Sequence, residues 1–180
     1  MSFEITEFSL GFEKEYINIH NKGFQYSCYS ENNWPRKIKG KKQGTEVFLA
    51  LKDNECVGQT TLENEKNNYI IDSITILKEY RKNGLGSQLL EYAENWLKKK
   101  GESEIYLELH GDCSDLFSFY QKRGYKLIDL KYRVETIKEN EGKESWKAYP
   151  FINRKDLNNI KKERVITDFV VWLIFKKEVV

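Results

Sequence analysis

The chain has 180 residues, 39% of them hydrophobic, 14% aromatic and 32% charged, a size that fits one domain with a real core and leaves little room for two. Thirty Lys+Arg against 28 Asp+Glu leave a net charge of +2, so nucleic acid is not the default partner, and no apolar run nears the roughly 18–20 residues that span a bilayer. The start, MSFEITEFSL, lacks the basic and apolar regions of a signal peptide, and three separated cysteines (Cys28, Cys56, Cys113) without CxxC spacing argue against a disulfide framework or a zinc site; a reduced cytoplasmic protein is the expectation.

In chain order, Phe3–Phe8 alternates apolar and polar residues as a half-buried strand does, and Phe12, Tyr16, Ile17, Ile19 and Phe24 recur at helical steps over Gly11–Phe24. Residues 27–45 are polar, basic and broken by Pro35, Gly40 and Gly44, which predicts a mobile loop. Strands follow at Glu46–Lys52 and Glu55–Glu63, joined by the turn-prone Asp53-Asn54, and a third at Tyr69–Leu77. Leu89, Leu90, Ala93, Trp96 and Leu97 make one apolar face of a helix over Gly86–Lys100, which Gly101 stops. A strand at Ile105–Leu109 precedes a helix, capped by Asp112 or Ser114, that runs to Arg123 and ends at Gly124. Tyr125–Thr136 returns to strand. Residues 137–163, rich in charge and amides, are expected to be irregular apart from a short helix at Asp156–Arg164, before a last strand at Thr167–Lys176. The order is that of a mixed-sheet α/β protein.

The chemistry concentrates where the Tyr69–Leu77 strand enters a glycine-containing turn, Lys78-Glu79-Tyr80-Arg81-Lys82-Asn83-Gly84-Leu85-Gly86-Ser87, and a helix starts at once. Unpaired N–H groups of a first helical turn and the helix dipole attract anions there. Gly84 and Gly86 leave no Cβ in the way, and Arg81 and Lys82 add charge, so the segment reads as a phosphate or pyrophosphate cradle. No GxxxxGK[ST] is present. A GxGxxG fingerprint fails because Leu89 stands at its last position, and Glu104, the acidic residue about twenty positions on, opens a strand instead of closing it.

The segment resembles motif A of the GNAT superfamily of acyl-CoA-dependent N-acetyltransferases, R/Q-x-x-G-x-G/A, here Arg81-x-x-Gly84-x-Gly86. Phe119-Tyr120-Gln121-Lys122-Arg123-Gly124-Tyr125 resembles that family's motif B. The resemblance implies a single α/β domain with a mixed, mostly antiparallel sheet of six to seven strands flanked by helices. It implies acetyl-CoA as cosubstrate, without a metal. Backbone amides of Lys82, Asn83, Gly84, Leu85, Gly86 and Ser87, with Arg81 beside them, would hold the pyrophosphate, and Ile74, Thr75 and Ile76 would bond the pantetheine arm like an extra strand. Tyr120 would protonate the leaving thiolate. Asp72, nine residues before Arg81, falls near the family's usual general base, and Cys113 stands where the family often has a pantetheine-contacting Asn.

Each assignment has a plainer counterpart. Gly84 and Gly86 also suit an ordinary tight turn, Tyr120 a core aromatic, and Asp72 a solvent-facing position. Glu63 competes as base. His110 and His20 read more readily as structural histidines than as a relay or an acceptor contact, Cys113 as small filler, and Arg36–Lys42 as a solvated loop. The expected reaction is acetyl transfer to a primary amine of a small molecule, with Phe24, Tyr26, Tyr29, Trp34 and the 137–163 insertion walling the acceptor site. Acetylation of a protein amine and a non-catalytic acyl-CoA-binding regulatory module are the alternatives. Nucleic acid and membrane are not expected partners, and a homodimer is left open.

Overall fold

A computed structural model describes residues 2–24, 38–65, 68–111, 113–140 and 143–179. The elements are β1 (Glu4–Glu7), α1 (Glu13–Phe24), β2 (Thr45–Lys52), β3 (Glu55–Glu65), β4 (Asn68–Ile76), α2 (Leu85–Lys99), β5 (Glu104–His110), α3 (Ser114–Gln121), β6 (Lys126–Asn140), β7 (Lys143–Ile152), α4 (Arg154–Glu163) and β8 (Val165–Glu178). Short 3-10 turns at Leu10–Phe12 and Lys78–Tyr80 precede α1 and α2. Eight strands are described, where six to seven were expected. The chain groups into two units, Met1–Leu107 with Lys177–Val180, and Glu108–Lys176.

In the first unit the strand order is β1-β2-β3-β4-β5, antiparallel except for the parallel β4–β5 pair. The Asp53-Asn54 turn is as the sequence predicts: both residues have positive φ, 52° and 63°, the twist a tight hairpin requires. β2 is buried along nearly its whole length because both of its faces are covered. Val47, Leu49 and Leu51 pack with Tyr16 and Ile19 of α1, whereas Ala50 packs with Leu85 and Leu89 of α2. The two helices therefore lie on opposite faces. α2 ends as the sequence predicts: Gly101, at φ 82°, donates to the Lys98 carbonyl, and the Glu102 N–H reaches back to Leu97.

In the second unit β6 lies between β8 and β7, antiparallel to both. The described residues of the 137–163 stretch, 137–140 and 143–163, are not irregular: they complete β6, form β7 and fold into α4. The charged and amide-rich composition misleads here because β7 is bonded on one edge by β6, a place where Lys147 and a proline are tolerated. Pro150 falls at the register shift between the Tyr132 and Val134 pairings. The Asn153 side chain caps α4 by accepting from the Asp156 N–H at 2.9 Å. Tyr132, Val134 and Leu157 form the core of this region. The final strand is longer than expected, Val165–Glu178. Among the described residues, Cys113 departs from the reduced expectation, being disulfide-bonded, whereas Cys56 is free and buried; Cys28 lies outside the described residues. No described helix is long and apolar enough to cross a membrane.

Candidate functional site

The first unit carries Asp72, Ile74, Thr75 and Ile76 on β4, followed by the turn through Arg81 to Ser87 at the start of α2. β4 pairs with β3 over its full length, but its parallel ladder with β5 covers only Ile70 and Ile71. β4 runs five residues beyond that ladder. The Leu77 N–H donates to the Val57 carbonyl of β3 at 3.0 Å. Strand N–H groups alternate between edges, so those of Ile74 and Ile76 face the edge away from β3. An extended chain can add there. Thr75 differs from the expectation: its main-chain groups face β3.

The β3–β4 register pairs Thr61 with Ser73 and Leu62 with Ile71, leaving Asp72 as the extra residue of a β-bulge, a device that re-aims a side chain. Half-buried, Asp72 acts on α1: burial holds the Tyr16 phenol above its ordinary pKa, a Thr61 hydrogen bond opposes this, and the charge of Asp72 raises it further. Glu63 is ion-paired with Lys42, whose pKa is raised chiefly by that bond and also by the charges of Asp72 and Glu65.

The turn is built to keep its amides open. Leu85, 1% exposed, plugs into Ala50, Val57 and Leu89 and anchors the helix start. Gly84 takes φ 79°, and a Cβ there would meet nothing within 4 Å, so glycine is needed for conformation and not for space. Lys82 takes φ 64°, a left-handed conformation costing an L-residue roughly 1–2 kcal/mol. The Ser87 and Gln88 amides bond back to the Gly84 carbonyl, and the Leu85 and Gly86 amides open the helix with no carbonyl behind them. No side chain caps this end and no acidic residue stands in its first turn. The dipole's positive end is therefore left without a compensating charge from the helix itself, which suits a pyrophosphate.

Arg81 points elsewhere. Its Nε donates to the Ile76 carbonyl at 2.9 Å and its Nη2 to the Gly23 carbonyl of α1 at 3.5 Å. A buried polar cluster that the sequence reading passed over lies on the same face: Gln59, fully buried, donates to Ser73 Oγ and Thr75 Oγ1, each at 3.1 Å, and accepts from Thr61 Oγ1 at 2.9 Å. Its Nε2 also lies 3.4 Å from His20 Nδ1, which makes His20 a buried structural partner. The signal was present: Gln59-Thr60-Thr61 interrupts an apolar strand opposite Ser73 and Thr75.

The second unit carries Tyr120, His110 and Cys113. Tyr120 is 8% exposed, its ring 5.7 Å from Tyr125 and 6.4 Å from Phe175. The helix stop explains the motif spacing: Gly124, at φ 86°, donates to the Gln121 carbonyl and the Tyr125 N–H to that of Tyr120, so both aromatics meet across the closure. His110 is buried edge-on against Trp172, ring centroids 5.3 Å apart. The disulfide removes Cys113 as a thiol. Of the expected acceptor wall, Tyr26, Tyr29, Trp34 and the Phe24 side chain lie outside the described residues. Among the described residues, no cluster of His, Cys, Asp or Glu is arranged to hold a metal.

An open strand edge running into a helix N-terminus with no side-chain cap offers backbone groups to an extended ligand that carries an anionic group. The chain belongs to the acetyltransferase (GNAT) family, whose sequence model matches residues 12–125. It is 31% identical over 85 residues to streptothricin acetyltransferase A of Bacillus subtilis, a match covering 47% of this chain and about half, 49%, of that relative. It is 28% identical over 147 residues to spermidine N(1)-acetyltransferase of Thermoplasma acidophilum, covering 72% of this chain and 91% of that one. Among solved structures, the PaiA N-acetyltransferase of Thermoplasma acidophilum in complex with coenzyme A has a TM-score of 0.66 at 21% identity, over 99% of both chains. A GNAT family acetyltransferase from Elizabethkingia anophelis with acetyl-CoA bound has a TM-score of 0.62 at 16% identity, over 98% of this chain and 97% of that one.

Proposed function

We propose that this enzyme moves an acetyl group from acetyl-CoA to a primary amine of a small cationic molecule. The observation carrying this reading is the uncapped α2 N-terminus directly after the open edge of β4. Amides of residues 82–86 hold the pyrophosphate, the Ser87 amide being already bonded to the Gly84 carbonyl; the Lys82 ammonium adds charge, and the Ile74 and Ile76 edge aligns the pantetheine. Asp72, re-aimed by its bulge, draws the ammonium proton through water. The amine then attacks the thioester carbon directly, and the oxyanion takes the Ile76 N–H. Tyr120, assigned from its place in motif B, gives its proton to the departing thiolate. Alignment of two substrates supplies much of the rate, and proton transfers add about 10²–10⁴-fold.

Support for a small cationic acceptor comes from the spermidine and streptothricin relatives. A cytoplasmic site of action belongs to the same proposal and rests on acetyl-CoA being an intracellular cosubstrate, since the Cys113 disulfide withdraws the all-reduced argument for it. The test is thiol release from acetyl-CoA across a panel of polyamines, amino sugars, basic antibiotics and lysyl or N-terminal peptides. Turnover on small amines is expected; turnover confined to peptides would overturn the acceptor assignment.

A further inference from the structure

We infer that Arg81 is a tether and not a phosphate ligand: it couples the cosubstrate turn to the last turn of α1, so that loading coenzyme A stiffens the helix end. This rests on the reading that the turn binds coenzyme A. A guanidinium has five donors in a rigid fork and no acceptor. In this structure the fork is divided between two backbone carbonyls from distant parts of the chain, Ile76 at 2.9 Å and Gly23 at 3.5 Å. Ile76 ends the strand whose edge is open to the pantetheine. Gly23 lies in the final turn of α1, which leads directly into the aromatic stretch expected to wall the acceptor site.

α1 is independently seated on that strand. A Cβ at Gly23 would lie 1.6 Å from Thr75 Cγ2, so the helix reaches this closeness only with glycine. Gln59 adds a second brace between His20 of α1 and the Ser73 and Thr75 hydroxyls. Helix and strand therefore stay together without Arg81, and the guanidinium supplies the link from the turn itself. Arg81 is a positioning residue: what it changes is the transmission of donor binding to α1.

The experiment is hydrogen exchange read by mass spectrometry on the full chain, with and without saturating coenzyme A, for wild type, Arg81→Met and Arg81→Lys, alongside calorimetric titration with coenzyme A. In wild type, coenzyme A should slow exchange at Gly84–Ser87 and at Ile19–Gly23. Both variants should keep the first protection and lose the second by about fivefold or more, because lysine restores the charge but has one ammonium in place of the rigid fork whose separate Nε and Nη2 donors reach the two carbonyls. Protection at Ile19–Gly23 that survives in Arg81→Met overturns the tether. So does an affinity loss in Arg81→Met that Arg81→Lys restores, which would place the charge on phosphate. Protection at the turn alone in wild type sinks the tether and spares the functional reading. No binding and no protection in wild type sinks the functional reading itself.

Discussion

Two glycine-marked segments sit at opposite ends of helices and use the left-handed conformation for opposite purposes. At Gly84, φ 79°, the chain enters α2 with no capping side chain and no acidic residue, so amides remain open. At Gly124, φ 86°, the chain leaves α3 and the last amides close onto the Gln121 and Tyr120 carbonyls, with two rings packed over the closure. The first arrangement is unfinished without an anion. The second is complete by itself. A motif that leaves backbone groups unsatisfied points to a ligand, whereas one that satisfies them explains its own spacing by folding alone.

The most severe way to break the contrast is Gly86→Glu. A carboxylate near a helix N-terminus favours the helix, so thermal stability should hold or rise slightly. The same carboxylate lies where the pyrophosphate is proposed to bind, and like charges in contact cost several kcal/mol, so calorimetric acetyl-CoA affinity should fall by about a hundredfold or more. Undiminished binding in the folded variant would remove the cradle from the proposal. Next in size is Tyr120→Phe, which keeps the ring over Tyr125 and the helix closure and deletes only the hydroxyl. Turnover should fall roughly ten- to a thousandfold while acetyl-CoA affinity and melting temperature hold. A variant as active as wild type would reduce Tyr120 to its packing role.

How legible these segments were follows from the same contrast. Gly84, Gly101 and Gly124 mark their turns in the sequence because their conformations are costly for other residues. The helix faces of α2 and the Asp53-Asn54 hairpin are equally plain, being set by neighbours within a few positions. What the sequence hid depends on partners far along the chain. The bulge that isolates Asp72 exists only in the β3–β4 register. The direction of Arg81 depends on Gly23, 58 residues away. β7 was obscured because edge strands carry the polar residues that also mark loops.

The Asp72 assignment separates a re-aimed carboxylate from a merely polar bulge residue. If Asp72 draws the acceptor's proton, Asp72→Asn should lower turnover by about tenfold near pH 7, where an amine of pKa about 10 is almost wholly protonated. Toward pH 10 the amine arrives deprotonated, so variant and wild type should converge. A deficit constant with pH, measured at saturating acetyl-CoA, would move the base to Glu63, His110 or solvent.

The smallest effect sharpens the comparison most directly. Gly84→Ala and Gly124→Ala each force a Cβ into the left-handed region, so each should cost about 1 kcal/mol. For a chain of 180 residues that is a drop in melting temperature of roughly 2–4 °C. The two should match in stability and differ in ligand binding. At Gly84 a Cβ meets no atom within 4 Å, so the penalty is conformational: the turn relaxes and its amides lose their alignment. Acetyl-CoA affinity should then weaken several-fold in Gly84→Ala and stay unchanged in Gly124→Ala, whose backbone groups are already closed on α3. Paired thermal melts and calorimetric titrations check both halves. Equal affinity losses in the two variants would mean that acetyl-CoA binding tracks global stability, and the division between an open and a closed helix end would fall.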